Sequence, residues 1–202
     1  MKPTMVTLVL LALLTACAAE GDADSTIAIA TSVPADATST TPTTAPSTVD
    51  PVSELPDLGP VPPLENLDGW LQSDIETLQE LRGQVVVVQF WTFGCHNCKA
   101  TLPNLQSLYT SHAGDGFEIV GVHSPEFDYE RDPEAVRAAA SDLGVSWPIA
   151  LDGEKKNFFS WQGSPAYWPR TYVIDRDGRI RFDHIGEGAY EELNETVDLL
   201  LG

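Results

Sequence analysis

The segment Val85–Phe93, VVVVQFWTF, is nearly continuously apolar, β-branched and aromatic, and Gly94 ends it just before Cys95-His96-Asn97-Cys98. Such a run suits a central strand buried on both faces. Beyond it, Leu102, Leu105, Leu108 and Tyr109 recur at helical spacing, so a helix is expected from Cys95 to about His112. The C-x-x-C pair therefore falls where a buried strand turns into a helix, which restricts the chain to α/β arrangements and sets the first Cys at a helix N-terminus. Free backbone N–H groups and the helix dipole there favour a thiolate. A second thiol three residues on is within reach to close a small, reversible disulfide. His96, where protonated, adds to the same bias; otherwise it is an exposed side chain.

Other uses of the pair fit less well. A structural zinc site needs four protein ligands, and the only other cysteine is Cys17. Covalent c-type haem needs a His directly after the second Cys, where Lys99 stands. A structural disulfide is open to a secreted chain. Redox exchange accounts better for the three-residue spacing at a strand–helix junction, and it calls for no cofactor.

Further elements follow from pattern. Phe117–Val122 (FEIVGV) reads as a second buried strand. Asp132-Pro133-Glu134 reads as the cap, first residue and first turn of a helix that stops at Gly144. Ile149–Leu151 suits a short strand and Glu154–Trp161 a short helix. Thr171–Asp175 and Ile180–His184 flank Arg176-Asp177-Gly178-Arg179, a hairpin signal. Tyr190–Leu201 carries Leu193, Val197 and Leu200 on one face of a last helix. The order is β-α-β-α, an insertion, then a hairpin and a helix: an α/β fold with an antiparallel hairpin joined to parallel strands.

The N-terminal third is of another character. Met1 to Ala16 has one charge, Lys2, and the apolar core Val6–Leu14 is too short to span a bilayer. It reads as a secretory signal peptide over 1–16. Leu14-Thr15-Ala16-Cys17 resembles the lipobox of bacterial lipoproteins, which implies lipidation of Cys17 and anchoring to the outer face of a membrane. Residues 17–63 are rich in Thr, Ser, Pro and Ala and lack Lys and Arg; they are expected to be a disordered, extended tether, followed by one domain over 64–202. With 30 acidic against 11 basic residues, a net charge of −19, the chain is unsuited to binding nucleic acid.

Several motifs taken together resemble the thioredoxin superfamily, in particular its TlpA-like extracytoplasmic branch and the thioredoxin-like domain of DipZ-type proteins. They are Phe90-Trp91-Thr92-Phe93-Gly94-Cys95-His96-Asn97-Cys98, Leu102-Pro103, Gly121-Val122-His123-Ser124-Pro125-Glu126-Phe127, Tyr167-Trp168-Pro169 and Gly186-Glu187-Gly188. The resemblance implies a thioredoxin fold, a central mixed sheet flanked by helices, with an insertion between the second strand and the C-terminal hairpin. It makes Cys95 the nucleophile, Cys98 the resolving thiol, Pro103 a helix-kinking proline and Pro169 a cis-proline beside the disulfide. Trp91, Phe93, Tyr167 and Trp168 become an apolar rim for a polypeptide client.

Two positions depart from the pattern. Thioredoxins proper carry a buried Asp where this chain has Gln89, and Lys99-Ala100-Thr101 supplies no acid on the helix. Glu126 is therefore expected to serve as the partly buried acid/base. The function implied is exchange of disulfides with protein substrates outside the cytoplasm by a monomer, with a separate membrane electron-transfer partner if it acts as a reductant. Alternatives are a thiol peroxidase, given Thr92-x-x-Cys95, and a copper-binding lipoprotein using Cys95, Cys98 and His96 or His123.

Overall fold

The computed structural model describes residues 51–202 except 113 and 115. The expected signal peptide, the expected lipidation at Cys17 and most of the expected tether lie outside the described residues. The elements are β1 (Gly69–Leu71), β2 (Val85–Trp91), α1 (His96–His112), β3 (Phe117–His123), α2 (Pro133–Asp142), β4 (Ile149–Leu151), α3 (Lys156–Gln162), β5 (Arg170–Ile174), β6 (Ile180–Ile185) and α4 (Tyr190–Leu201). The strands form a six-stranded sheet in the order β1-β4-β3-β2-β5-β6. Strands β2, β3 and β4 run parallel, whereas β5, β6 and β1 are antiparallel to their neighbours.

Every residue of β2 is buried, because its alternating side chains enter two different cores. Val85, Val87 and Trp91 join Leu102, Leu105 and Leu108 of α1, Val136 and Ala140 of α2, and Leu193, Val197 and Leu200 of α4. Val86, Val88 and Phe90 face the other way, toward Phe158 of α3 and toward Leu64, Leu78 and Leu81. Two-sided burial is what the unbroken apolar run demanded.

Local chemistry sets the boundaries. Asp132 caps α2 by accepting the Glu134 N–H at 3.0 Å, with Pro133 as the first helical residue. In the hairpin, Asp175 Oδ1 accepts the N–H groups of Asp177 at 3.0 Å and Arg179 at 2.8 Å, and Gly178 takes φ 74°. Strand β1 was not foreseen: three residues are too few to show alternation, and only pairing with β4 defines it.

Residues before the expected boundary at Leu64 also pair with the sheet. The Leu58 N–H donates to the Ile180 carbonyl, the Ile180 N–H to Gly59 and the Val61 N–H to Gly178, each at 2.9 Å. Asp57 pairs with Arg179 at 2.7 Å. Residues 58–61 thus cover the hairpin turn and the start of the β6 edge. Composition read them as tether because backbone pairing to an edge needs few apolar side chains. Among the described residues, no helix is long and apolar enough to cross a membrane.

Candidate active site

Strand β2 ends at Trp91, and Thr92-Phe93-Gly94-Cys95 leads into α1. The Cys95 N–H donates to the Thr92 carbonyl at 3.3 Å, and the Lys99 N–H to the Cys95 carbonyl at 3.2 Å, opening the helix. Cys95 and Cys98 form a disulfide with their Cα atoms 5.3 Å apart. Cys98 is fully buried, whereas Cys95 is partly exposed. The Cys98 N–H points at Cys95 Sγ, 3.1 Å away, the helix-terminal donor that would stabilise a thiolate at Cys95.

Beneath the pair, Gln89 is buried at 2% exposure. Its side-chain N–H group donates to Thr101 Oγ1 at 2.9 Å and Thr171 Oγ1 at 3.4 Å. Thr101 in turn donates its hydroxyl to the Cys98 carbonyl at 2.7 Å. The place of a buried acid is therefore held by a neutral amide that braces the first turn of α1. Pro103 lies inside α1.

The Trp168–Pro169 peptide bond is cis. Arg170, which follows, pairs with Phe90 of β2, so the turn lies beside the end of β2. The Pro169 carbonyl accepts the Gly186 N–H at 2.8 Å, which gives the Gly186-Glu187-Gly188 segment a physical role. The Trp168 ring stacks on Phe158 at 4.1 Å and is half-buried, with Lys155 Nζ 5.6 Å from its centre. Tyr167 beside it is exposed.

Trp91 does not join the rim. It is 1% exposed, because its parity along β2 turns it to the α1 face with Val85 and Val87. Phe93 is partly buried and stacks on His123 at 5.7 Å, with the Tyr129 ring tilted against it at 5.8 Å. Of the exposed aromatics, Tyr129 lies against Phe93 and beside Gly94, and Phe127 stacks on Tyr129 at 5.7 Å.

Glu126 is exposed rather than partly buried. The buried carboxylate on that loop is Glu130, at 0% exposure. Glu130 Oε1 accepts the Gly94 N–H at 2.8 Å; Oε2 accepts those of Glu126 at 2.6 Å and Phe127 at 2.9 Å. Glu126 stands out in the sequence as the acid of the His-Ser-Pro-Glu-Phe segment where Gln89 and Lys99-Ala100-Thr101 supply none, whereas it is Glu130 that turns inward through the 3-10 turn Asp128–Glu130. The usable signal was Phe127 followed three residues later by Glu, the spacing at which a side chain returns to the turn's own N–H groups.

His123, at the end of β3, is 2% exposed. Burial lowers its pKa to about 4, partly opposed by the charge of Glu130, so the ring is neutral near pH 7. Thr92 Oγ1 lies 3.3 Å from His123 Nε2. His96 is exposed on α1. Among the described residues, no group of three or more His, Cys, Asp or Glu side chains is arranged as a metal site.

Asp152, also buried, anchors the inserted β4–α3 region. It accepts the Ser124 hydroxyl at 2.9 Å and the N–H groups of Asn157 at 3.1 Å and Phe158 at 2.9 Å.

Residues 62–183 match the family model described as AhpC/TSA family. The chain belongs to that family. It is 36% identical over 156 residues to Protein DipZ of Mycobacterium tuberculosis, an alignment covering 75% of this chain and 22% of DipZ. The chain thus spans about a fifth of the length of that relative. Thiol-disulfide oxidoreductase YkuV of Bacillus subtilis is 25% identical over 142 residues, 70% of this chain and 94% of YkuV. Among solved structures, a putative thiol:disulfide interchange protein DsbE from Chlorobium tepidum superposes with a TM-score of 0.62 at 20% identity, covering 73% of this chain and 99% of that one. The fold is the thioredoxin fold.

Proposed function

We propose that the chain is a thiol-disulfide oxidoreductase that exchanges disulfides with protein substrates outside the cytoplasm, held to the membrane by a lipid on Cys17. The observation that carries this reading is the Cys95–Cys98 disulfide at a helix N-terminus, with Cys95 reachable and Cys98 buried. In the reducing direction, the Cys95 thiolate attacks one sulfur of a client disulfide. The other client sulfur leaves and takes up a proton. Cys98 then loses its proton and attacks Cys95 Sγ, and the second client sulfur departs as a thiol. Two electrons pass to the client, which becomes a dithiol, and the Cys95–Cys98 bond is restored. The oxidising direction is the reverse.

The two relatives support exchange chemistry to different degrees: YkuV is named for it and is covered almost whole. The peroxidase alternative loses support from Thr92, which is fully buried with its hydroxyl beside His123. Tyr167 and the exposed part of Trp168 supply apolar contact for an extended client beside the cis-proline. A reductant needs electrons from a membrane partner, and the lipid anchor would keep it within reach of one.

The test is equilibration of the reduced and oxidised protein with glutathione, together with a Cys98→Ser variant offered a disulfide-bonded client. Reversible cycling and a trapped mixed disulfide at Cys95 are expected. A pair that never cycles, with no adduct on Cys98→Ser, overturns the reading.

A further inference from the structure

No step of disulfide exchange uses Glu130, yet this carboxylate is built into the site with unusual completeness. It is wholly buried and takes three backbone N–H bonds, from Gly94, Glu126 and Phe127. A carboxylate so held makes charge-assisted bonds to every donor it meets. Its neighbour Arg131 is engaged elsewhere, with Asp128 at 3.4 Å and Glu154 at 3.8 Å. Backbone N–H groups, and no cationic side chain in these contacts, therefore compensate the charge. Gly94 is shaped for the approach: a Cβ there would overlap Glu130 Oε1 and come within 2.7 Å of the Tyr129 hydroxyl. Gly94 directly precedes Cys95.

We infer that Glu130 is a positioning residue for Cys95, tying the loop that carries the nucleophile to the Ser124–Arg131 loop and holding a negative charge beside it. The inference rests on the redox reading of the pair given above. The dipole of α1 and the Cys98 N–H favour the Cys95 thiolate; a buried anion one residue away disfavours it. A less stable thiolate makes the reduced form less stable and the pair a stronger reductant.

Other charged groups share the neighbourhood. His96 and Lys99 flank Cys95 on α1, and neutral His123 approaches from β3. Glu126, Tyr129 and Arg131 lie on the same loop, and Asp68 lines a small cavity with His123, Glu130 and Arg131. All of them are unchanged between the variants compared below, so differences report Glu130.

The experiment compares the full chain, wild type, Glu130→Gln and Glu130→Asp. In chemically reduced protein, the pH dependence of Cys95 alkylation by iodoacetamide is followed by mass spectrometry; in parallel, each protein is equilibrated with glutathione. Glu130→Gln is expected to raise Cys95 alkylation at pH 5.5 at least threefold and to lower the equilibrium constant for oxidation by glutathione at least threefold. Glu130→Asp, which keeps the charge, is expected to stay within twofold of wild type in both. Neither variant moving, or both moving alike, overturns the inference even where thermal stability falls, since loss of structure alone does not separate charge from shape. Should Glu130→Gln fail to fold, the Gly94 amide of reduced wild type is read by hydrogen exchange. Protection supports the clamp, and exchange at the rate of a free loop amide overturns it. Because alkylation needs no redox cycling, a pair that fails to equilibrate with glutathione defeats the proposed function while Glu130 is still tested.

Discussion

The indole N–H of Trp168 donates to the Ser124 carbonyl at 2.9 Å, joining the cis-proline turn to the end of β3 across 44 residues of sequence. Ser124 is itself bonded through its hydroxyl to buried Asp152, so the cis-proline turn is held by the insertion as well as by the sheet. Stacking on Phe158 completes the seat of the ring. Trp168→Ala is expected to cost about 2–4 kcal/mol by urea denaturation, somewhat less than full loss of a buried aromatic because the ring is only half-buried. Trp168→Phe keeps the stacking and loses one hydrogen bond, for about 1 kcal/mol. Equal costs for the two variants would mean that the ring contact contributes little.

His123 sets a pH dependence. Its folded pKa of about 4 lies below the ordinary 6.5, with burial as the main cause. The unfolded chain therefore takes up a proton at this residue before the folded one does, and stability falls as pH drops from about 6.5 to about 4. The full effect is about 3 kcal/mol at roughly 1.4 kcal/mol per pH unit. Urea denaturation of wild type and His123→Asn at pH 7, 5.5 and 4.5 isolates it, because the carboxylates common to both cancel. Parallel pH profiles for the two proteins would remove His123 as the cause.

Gly94 and Glu130 are expected to be energetically coupled. The atom that a Cβ at residue 94 would strike belongs to a carboxylate with three backbone partners, which has nowhere to retreat. Gly94→Ala should cost about 1–3 kcal/mol, as overpacking does. In a Glu130→Ala background the same change should cost at least about 1 kcal/mol less. Additive costs in the double-mutant cycle would place the strain elsewhere.

Period and punctuation carried most of the fold into view. Two-sided burial of β2, the Asp132-Pro133 cap and the Asp-Gly hairpin are local codes, and each is realised within a residue or two of where it was read. The cysteine pair was legible for the same reason, since its position at a strand–helix junction is local. What the sequence did not yield depends on distant partners. Trp91 falls in a strand expected to be buried and is placed on the rim only by the family resemblance; its facing is decided by the parity of a strand packed under α1. Choosing between Glu126 and Glu130 requires knowing which way a 3-10 turn points; the composition of the three intervening residues does not encode that, and only the spacing from Phe127 to Glu130 hints at it. Gln89 in place of an acid is visible in the sequence; that its amide braces Thr101 and Thr171 follows from α1 packing over β2 and from β5 lying next to it.

The strap over the hairpin edge gives the last prediction. Leu58 and Val61 each donate a backbone N–H, and Gly59 accepts one, so three bonds to the Gly178–Ile180 region depend on residues that composition alone assigns to a linker. Val52 and Leu55 also pack on the α4 side of the core. A chain beginning at Pro51 should match the longer protein in thermal unfolding. A chain beginning at Leu64 loses those three bonds, worth about 0.5–1.5 kcal/mol each, together with the Val52 and Leu55 contacts. Its Tm is expected to fall by about 5–10 °C, at about 2–4 °C per kcal/mol for a domain of this size. Opening the β6 edge should also increase concentration-dependent self-association, read by light scattering. Identical melting of the two truncations would return residues 51–63 to the role of a linker.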